Sequence, residues 1–129
     1  TGMGNPQKAK GDKYEVDLSK YFNEFVYGEE QCQRAPLSGG GKIGLHAGGA
    51  DLLGTTGLFV EAKRVERLNF RDAMAQAERN IAQTRSPEYA VVITRRNREA
   101  LDDSVCMMRL KDYKELYKAW LQVNGYKHL

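Results

Sequence analysis

The sequence predicts an α/β fold: a central mixed sheet of five strands with α-helices on both sides. Two observations carry this. Helix-like and strand-like segments interleave along the chain, and "YAVVIT" at 89–94 is apolar on both of its faces. A strand apolar on both faces needs a helical layer on each side of its sheet.

The elements follow in order. Residues 12–27 space Tyr14, Leu18, Tyr21, Phe22 and Phe25 at helical intervals behind Asp12, which reads as an N-cap with Glu15 completing a capping box. Residues 30–36 read as a strand that stops at Pro36. "SGGGKIGLHAGG" at 38–49 predicts a mobile loop, since glycine costs about 1 kcal/mol inside a regular element. Two short strands around a tight turn fill 48–64, and a helix follows over 70–84 with Phe70, Ala73, Ala77 and Ile81 inward. Strands over 89–94 and 104–110 and an amphipathic helix over 111–123 complete the set.

Composition bounds what the chain can be. Its 129 residues suit one domain, expected over 10–129, after a flexible 1–9 segment in which Thr1 and Gly2 ahead of Met3 read as a cloning remnant. No apolar run approaches the roughly 20 residues of a membrane span, so a soluble protein and no membrane partner are expected. Cys32 and Cys106 lack metal-ligand spacing and are expected to be free, buried thiols in a cytoplasmic setting. The net charge of +3 is a weak argument for nucleic acid, but the basic residues cluster: Lys8, Lys10 and Lys13; Lys63, Arg64, Arg67 and Arg71; Arg95, Arg96 and Arg98.

The hairpin places charge where burial should exclude it. With Thr55, Thr56 and Gly57 as a three-residue loop and Gly57 left-handed, Gly54 faces Leu58, Leu53 faces Phe59 and Asp51 faces Glu61. Opposed carboxylates about 5 Å apart repel unless something neutralises them. A divalent cation would do so. Lys63 shares their face through the two-residue strand period, and Glu15, on the helix face of Leu18 and Phe22, points toward the sheet as a fourth member. Such a set suits metal-assisted phosphodiester hydrolysis, in which Mg²⁺ takes one or two carboxylates plus the substrate phosphate. A surface ion-pair ladder is the plainer alternative, and Leu52, Leu53, Leu58, Phe59 and Val60 argue against so exposed a strand.

Asp51 followed after nine residues by "EAK" resembles the core of the PD-(D/E)xK nuclease superfamily. The flanking segments sharpen the likeness: "KGDKYEVDLSKYF" with Glu15, "CQRAPLSGG" with Arg34, Pro36 and Ser38, "GGADLLG", and a helix carrying Gln76. Together they resemble archaeal-type Holliday junction resolvases and their phage relatives over roughly residues 10–115. The resemblance implies a restriction-endonuclease-like fold with Asp51, Glu61 and the Ala62 carbonyl as metal ligands, Glu15 completing the site and Lys63 as catalytic lysine. It implies Mg²⁺, with Mn²⁺ as a substitute, and a homodimer acting on a four-way DNA junction. Arg34, Ser38 and Gln76 would meet DNA, as would the basic Lys10, Lys13, Lys42 and Arg64. Ala50 departs from the family's usual proline before the aspartate. The competing expectations are a nicking or restriction-type nuclease on duplex DNA, and a catalytically silent DNA-binding module. His46 and the aromatic last helix read as loop and as core or dimer surface.

Overall fold

The computed structural model describes residues 6–36, 49–84 and 87–126. Helix α1 runs Pro6–Phe22 and opens into a wider π turn over Asn23–Tyr27. Strands β1 (Gln33–Arg34), β2 (Leu52–Leu53) and β3 (Leu58–Lys63) precede helix α2 (Phe70–Thr84). Strand β4 (Tyr89–Thr94), a 3-10 turn at Leu101–Asp103, β5 (Val105–Met107) and helix α3 (Leu110–Val123) follow.

The chain is α/β, but the strands form two sheets in place of the expected five-stranded one. β1 and β2 pair antiparallel as a two-stranded ribbon, while β3, β4 and β5 form a mixed sheet in that order. β3 and β4 are parallel, in register from Leu58 beside Tyr89 to Lys63 beside Thr94, and β5 is antiparallel to β4. The cause of the split lies at the turn. Leu58 N–H donates to the Thr55 carbonyl at 2.8 Å, so Thr56 and Gly57 (φ +86°) are its central residues and the expected three-residue loop does not form. Beyond that turn, Asp51 N–H donates to the Val60 carbonyl at 2.9 Å, but the Ala62 N–H goes to the Asp51 side chain at 2.7 Å. A carboxylate has taken a donor that a β2–β3 ladder would use.

Helices cover both faces of the mixed sheet. On one face Tyr14 and Leu18 of α1 pack with Leu52, Val60, Val91 and Ile93; on the other Ala73, Met74 and Ala77 of α2 pack with Ala50, Phe59, Ala90 and Val92. Burying a side chain the size of Phe59 contributes about 1.5–3 kcal/mol, and alternation along β3 feeds both layers. α2 and β4 have their expected limits, with Met74 a buried residue beyond those named from the sequence.

Other expectations shift. α1 begins at Pro6, a residue suited to the first helical turn, so residues 6–9 are helical and Asp12 lies mid-helix, which removes the capping-box role for Glu15. The strand expected over 30–36 is two residues long, because Asn23 reaches across: its Oδ1 accepts from Gln31 and Cys32 N–H at 2.9 and 2.6 Å, and its Nδ2 donates to the Cys32 carbonyl. β5 ends at Met107. Both cysteines are free, Cys32 buried as expected and Cys106 exposed on the edge strand β5. Residues 37–48, which hold most of the glycine-rich loop, lie outside the described residues, as do Thr1, Gly2 and Met3.

Candidate active site

Four charged side chains meet along the edge of β3 that β4 leaves open. β3 carries Glu61 and Lys63 two residues apart, the Asp51 segment closes against that edge through Val60 and Ala62, and α1 brings Glu15. Glu61 is 4% exposed, and its Oε1 lies 3.3 Å from Lys63 Nζ. Its Oε2 is buried with no hydrogen-bond partner among the described residues. A buried carboxylate oxygen left unpaired is costly enough to call for a ligand.

The acids hold one another's protons. Burial raises Asp51 to about 7, with the Glu61 charge adding to the rise and the Ala62 N–H opposing it. Burial likewise raises Glu15 to about 7, with Asp51 as the next cause and Arg34 opposing. Glu61 is raised by burial, and Lys63 opposes that. Crowded carboxylates of this kind favour either a shared proton or a cation.

Arg34 serves the cluster directly. Its Nε donates to Glu15 Oε2 at 2.9 Å, and its Nη2 lies 2.8 Å from Asp12 Oδ1, close enough for an ion pair although without hydrogen-bond alignment. Sequence reasoning missed Asp12 as a partner. The signal was there, since Asp12 and Glu15 are three apart and share one face of a helix once the helix extends back to Pro6.

The remaining expected residues scatter. Gln76 is exposed on α2 and makes no hydrogen bond or ion pair with these acids among the described residues. Lys10 and Lys13 are exposed on α1, and Lys13 pairs with Asp17 at 2.8 Å. Arg64 is half-buried just past Lys63. Ser38, Lys42 and His46 lie outside the described residues.

Among the described residues no three His, Cys, Asp or Glu side chains are arranged to hold a metal ion. A hard cation does not require three. Mg²⁺ keeps several waters and is held by one or two carboxylates, so Asp51 and Glu61, with the partnerless Glu61 Oε2, fit such an ion.

Fold and site together define an α/β protein with a buried acidic cluster and a lysine at the open edge of a mixed sheet. No family model, curated protein or solved structure matches the chain. Among the described residues no helix is long and apolar enough to cross a membrane.

Proposed function

We propose that the chain is a metal-dependent, structure-selective DNA endonuclease of the Holliday junction resolvase type, built on a restriction-endonuclease-like core. The observation that carries it is the buried, partnerless Glu61 Oε2 beside the crowded Asp51, with Lys63 adjacent. When bound, a divalent cation, Mg²⁺ or Mn²⁺, offsets charge building on the scissile phosphate and acidifies water. Asp51 and Glu61 would hold it, joined by the Ala62 carbonyl.

The chain's own groups divide the remaining work. Lys63 Nζ, held by Glu61, is a fixed donor and positive charge for the phosphate at the site. Glu15, kept in place by Arg34, sets the charge of Asp51 and so the affinity of the pair for a cation. Arg34, engaged by two acids, acts on those acids in preference to DNA.

A four-way junction is symmetric and needs two cuts, which a homodimer supplies. The surface that suits a second copy is α3, where Leu110, Tyr113, Leu116, Tyr117, Trp120 and Val123 are 42% to 85% exposed and none of the helix is buried. An aromatic side chain can bury about 150–250 Å², so this face offers on the order of 600–800 Å². That is close to the roughly 800 Å² per partner of a stable interface.

The test is cleavage of a labelled four-way junction and its linear duplex control, with Mg²⁺ or EDTA, by the natural protein and Asp51→Asn. Paired symmetric nicks in the junction alone, lost with EDTA or the substitution, are the expected result. Equal cutting of the duplex would leave a general nicking or restriction-type nuclease. Tight binding without cutting would leave a DNA-binding module.

A further inference from the structure

The parallel pairing of β3 and β4 sets Lys63 beside Thr94, so the next residues, Arg64 and Arg95, leave the sheet together. Arg95 N–H still holds the Lys63 carbonyl at 3.2 Å, which fixes the two chain segments against each other. α1 crosses the same end. Lys10, Lys13, Tyr14, Asp17, Arg64 and Arg95 line a cleft of about 140 Å³ there.

Four cations share this cleft with one carboxylate. Asp17 is engaged by Lys13 at 2.8 Å, and Lys10 Nζ has Asn97 Oδ1 at 3.4 Å. Arg95 Nε donates to the Glu99 carbonyl at 2.6 Å, a neutral partner that leaves its charge unmatched. Arg64 Nε is buried with no hydrogen-bond partner among the described residues. Like charges gathered in a confined space repel unless an anion joins them, and an unpaired buried guanidinium N–H wants an acceptor. The volume accommodates one tetrahedral oxyanion. The place suits it too, because ligands of α/β sheets bind beyond the carboxyl ends of parallel strands.

We propose that this cleft binds a phosphodiester of the nucleic-acid backbone other than the one cut, with Arg64 and Arg95 as its fork donors and Lys10 as the charge at its rim. The inference rests on the nuclease reading for the source of the phosphate, while the oxyanion site stands on its own geometry. Lys63 ends β3 against Glu61 whereas Arg64 lines the cleft past the strand, so the two serve different phosphates of one substrate. Arg95 thereby becomes a binding residue, and the cleft would set how the backbone runs from the cutting site across the end of the sheet.

The experiment measures the dissociation constant of the metal-free protein for a labelled four-way junction and for a linear duplex across a KCl series. The natural protein is compared with Arg64→Gln, Arg95→Gln and Lys10→Gln, and with Lys111→Gln on α3 as a control. One lost phosphate contact lowers the slope of log K against log salt by about 0.9, and weakens binding about eightfold at 0.1 M relative to 1 M salt. The cleft variants are expected to show that loss equally on both DNAs, and the control none. An unchanged slope in Arg95→Gln and Lys10→Gln, with circular dichroism showing folded protein, overturns the proposal. Lys10 is exposed, so its variant keeps the test decisive should the arginine variants misfold. In parallel, inorganic phosphate is titrated while the arginine Nε–H resonances are followed. Shifts at Arg64 and Arg95 in a protein that binds neither DNA would uphold the oxyanion cleft and overturn the nuclease reading. No shifts and no DNA binding would overturn both.

Discussion

At Asp51 the surroundings work against the charge that the proposed chemistry needs. Burial and neighbouring acids lift it and Glu15 to about 7, whereas in the unfolded chain both return to about 4. Between those values the folded state binds more protons than the unfolded one, so stability falls as pH rises from about 4 to about 7 and then levels. Calorimetry of the metal-free protein is therefore expected to find a higher melting temperature at pH 5 than at pH 8, with a difference on the order of 5 kcal/mol. Asp51→Asn should flatten that dependence, and Mg²⁺ at pH 8 should raise the melting temperature of the natural protein more than that of the variant. Lys63→Gln is expected to lower junction cleavage by about a hundredfold or more, measured in single-turnover assays on protein shown to be folded by circular dichroism. Most of this cluster was legible because charge stood among apolar strand residues at a two-residue period. The Arg34 partnership was not, since it depends on where α1 starts, which the misleading capping pattern at Asp12 obscured.

Elements differ in how plainly they announce themselves. α2 and β4 match their expected limits because each has an unbroken period, and each is packed along its length. The β1–β2 ribbon was legible only as short apolar stretches; Asn23 shortens it by taking backbone partners before β1, and the Asp51 carboxylate takes from a β2–β3 ladder the Ala62 N–H. Periodicity cannot register that competition. Gly54, just past β2, has φ +87°, and a Cβ there would collide with the Gln31 carbonyl oxygen. Gly54→Ala is accordingly expected to destabilise by about 2 kcal/mol or more, seen as a lower urea midpoint, and to disturb the acidic cluster that the same segment carries. At the opposite edge of the sheet, just past β5, Arg109 grips Glu78 of α2 with two hydrogen bonds of 3.0 and 2.9 Å. That fork is the described tie from α2 to the start of α3. Glu78→Gln should loosen it, giving faster amide hydrogen exchange in α3 while β3 and β4 keep their protection.

Over the whole molecule, the proposed chemistry and the proposed assembly surface fall at separate places. The acidic cluster lies along the β3 edge and the basic cleft beyond the strand ends, whereas α3 carries an apolar face that nothing in the described chain buries. A helix of 14 residues in water is marginal alone, so the proposed second copy would add order to α3. Trp120→Ser together with Leu116→Ser should shift sedimentation toward the monomer and remove paired cutting, leaving single nicks. An unchanged sedimentation coefficient would exclude α3 as the interface.

The stack that runs Tyr113, Tyr117, Trp120 and Tyr126, with centroid spacings of 6.3, 6.4 and 5.9 Å, contains the chain's single tryptophan. No other indole exists to report on the packed interior. Intrinsic emission from this protein is therefore a gauge of what touches α3: it should move to shorter wavelength as concentration drives two copies together, and on dilution return long before the sheet unfolds. The molecule has its own optical label, placed on the surface and not in the core.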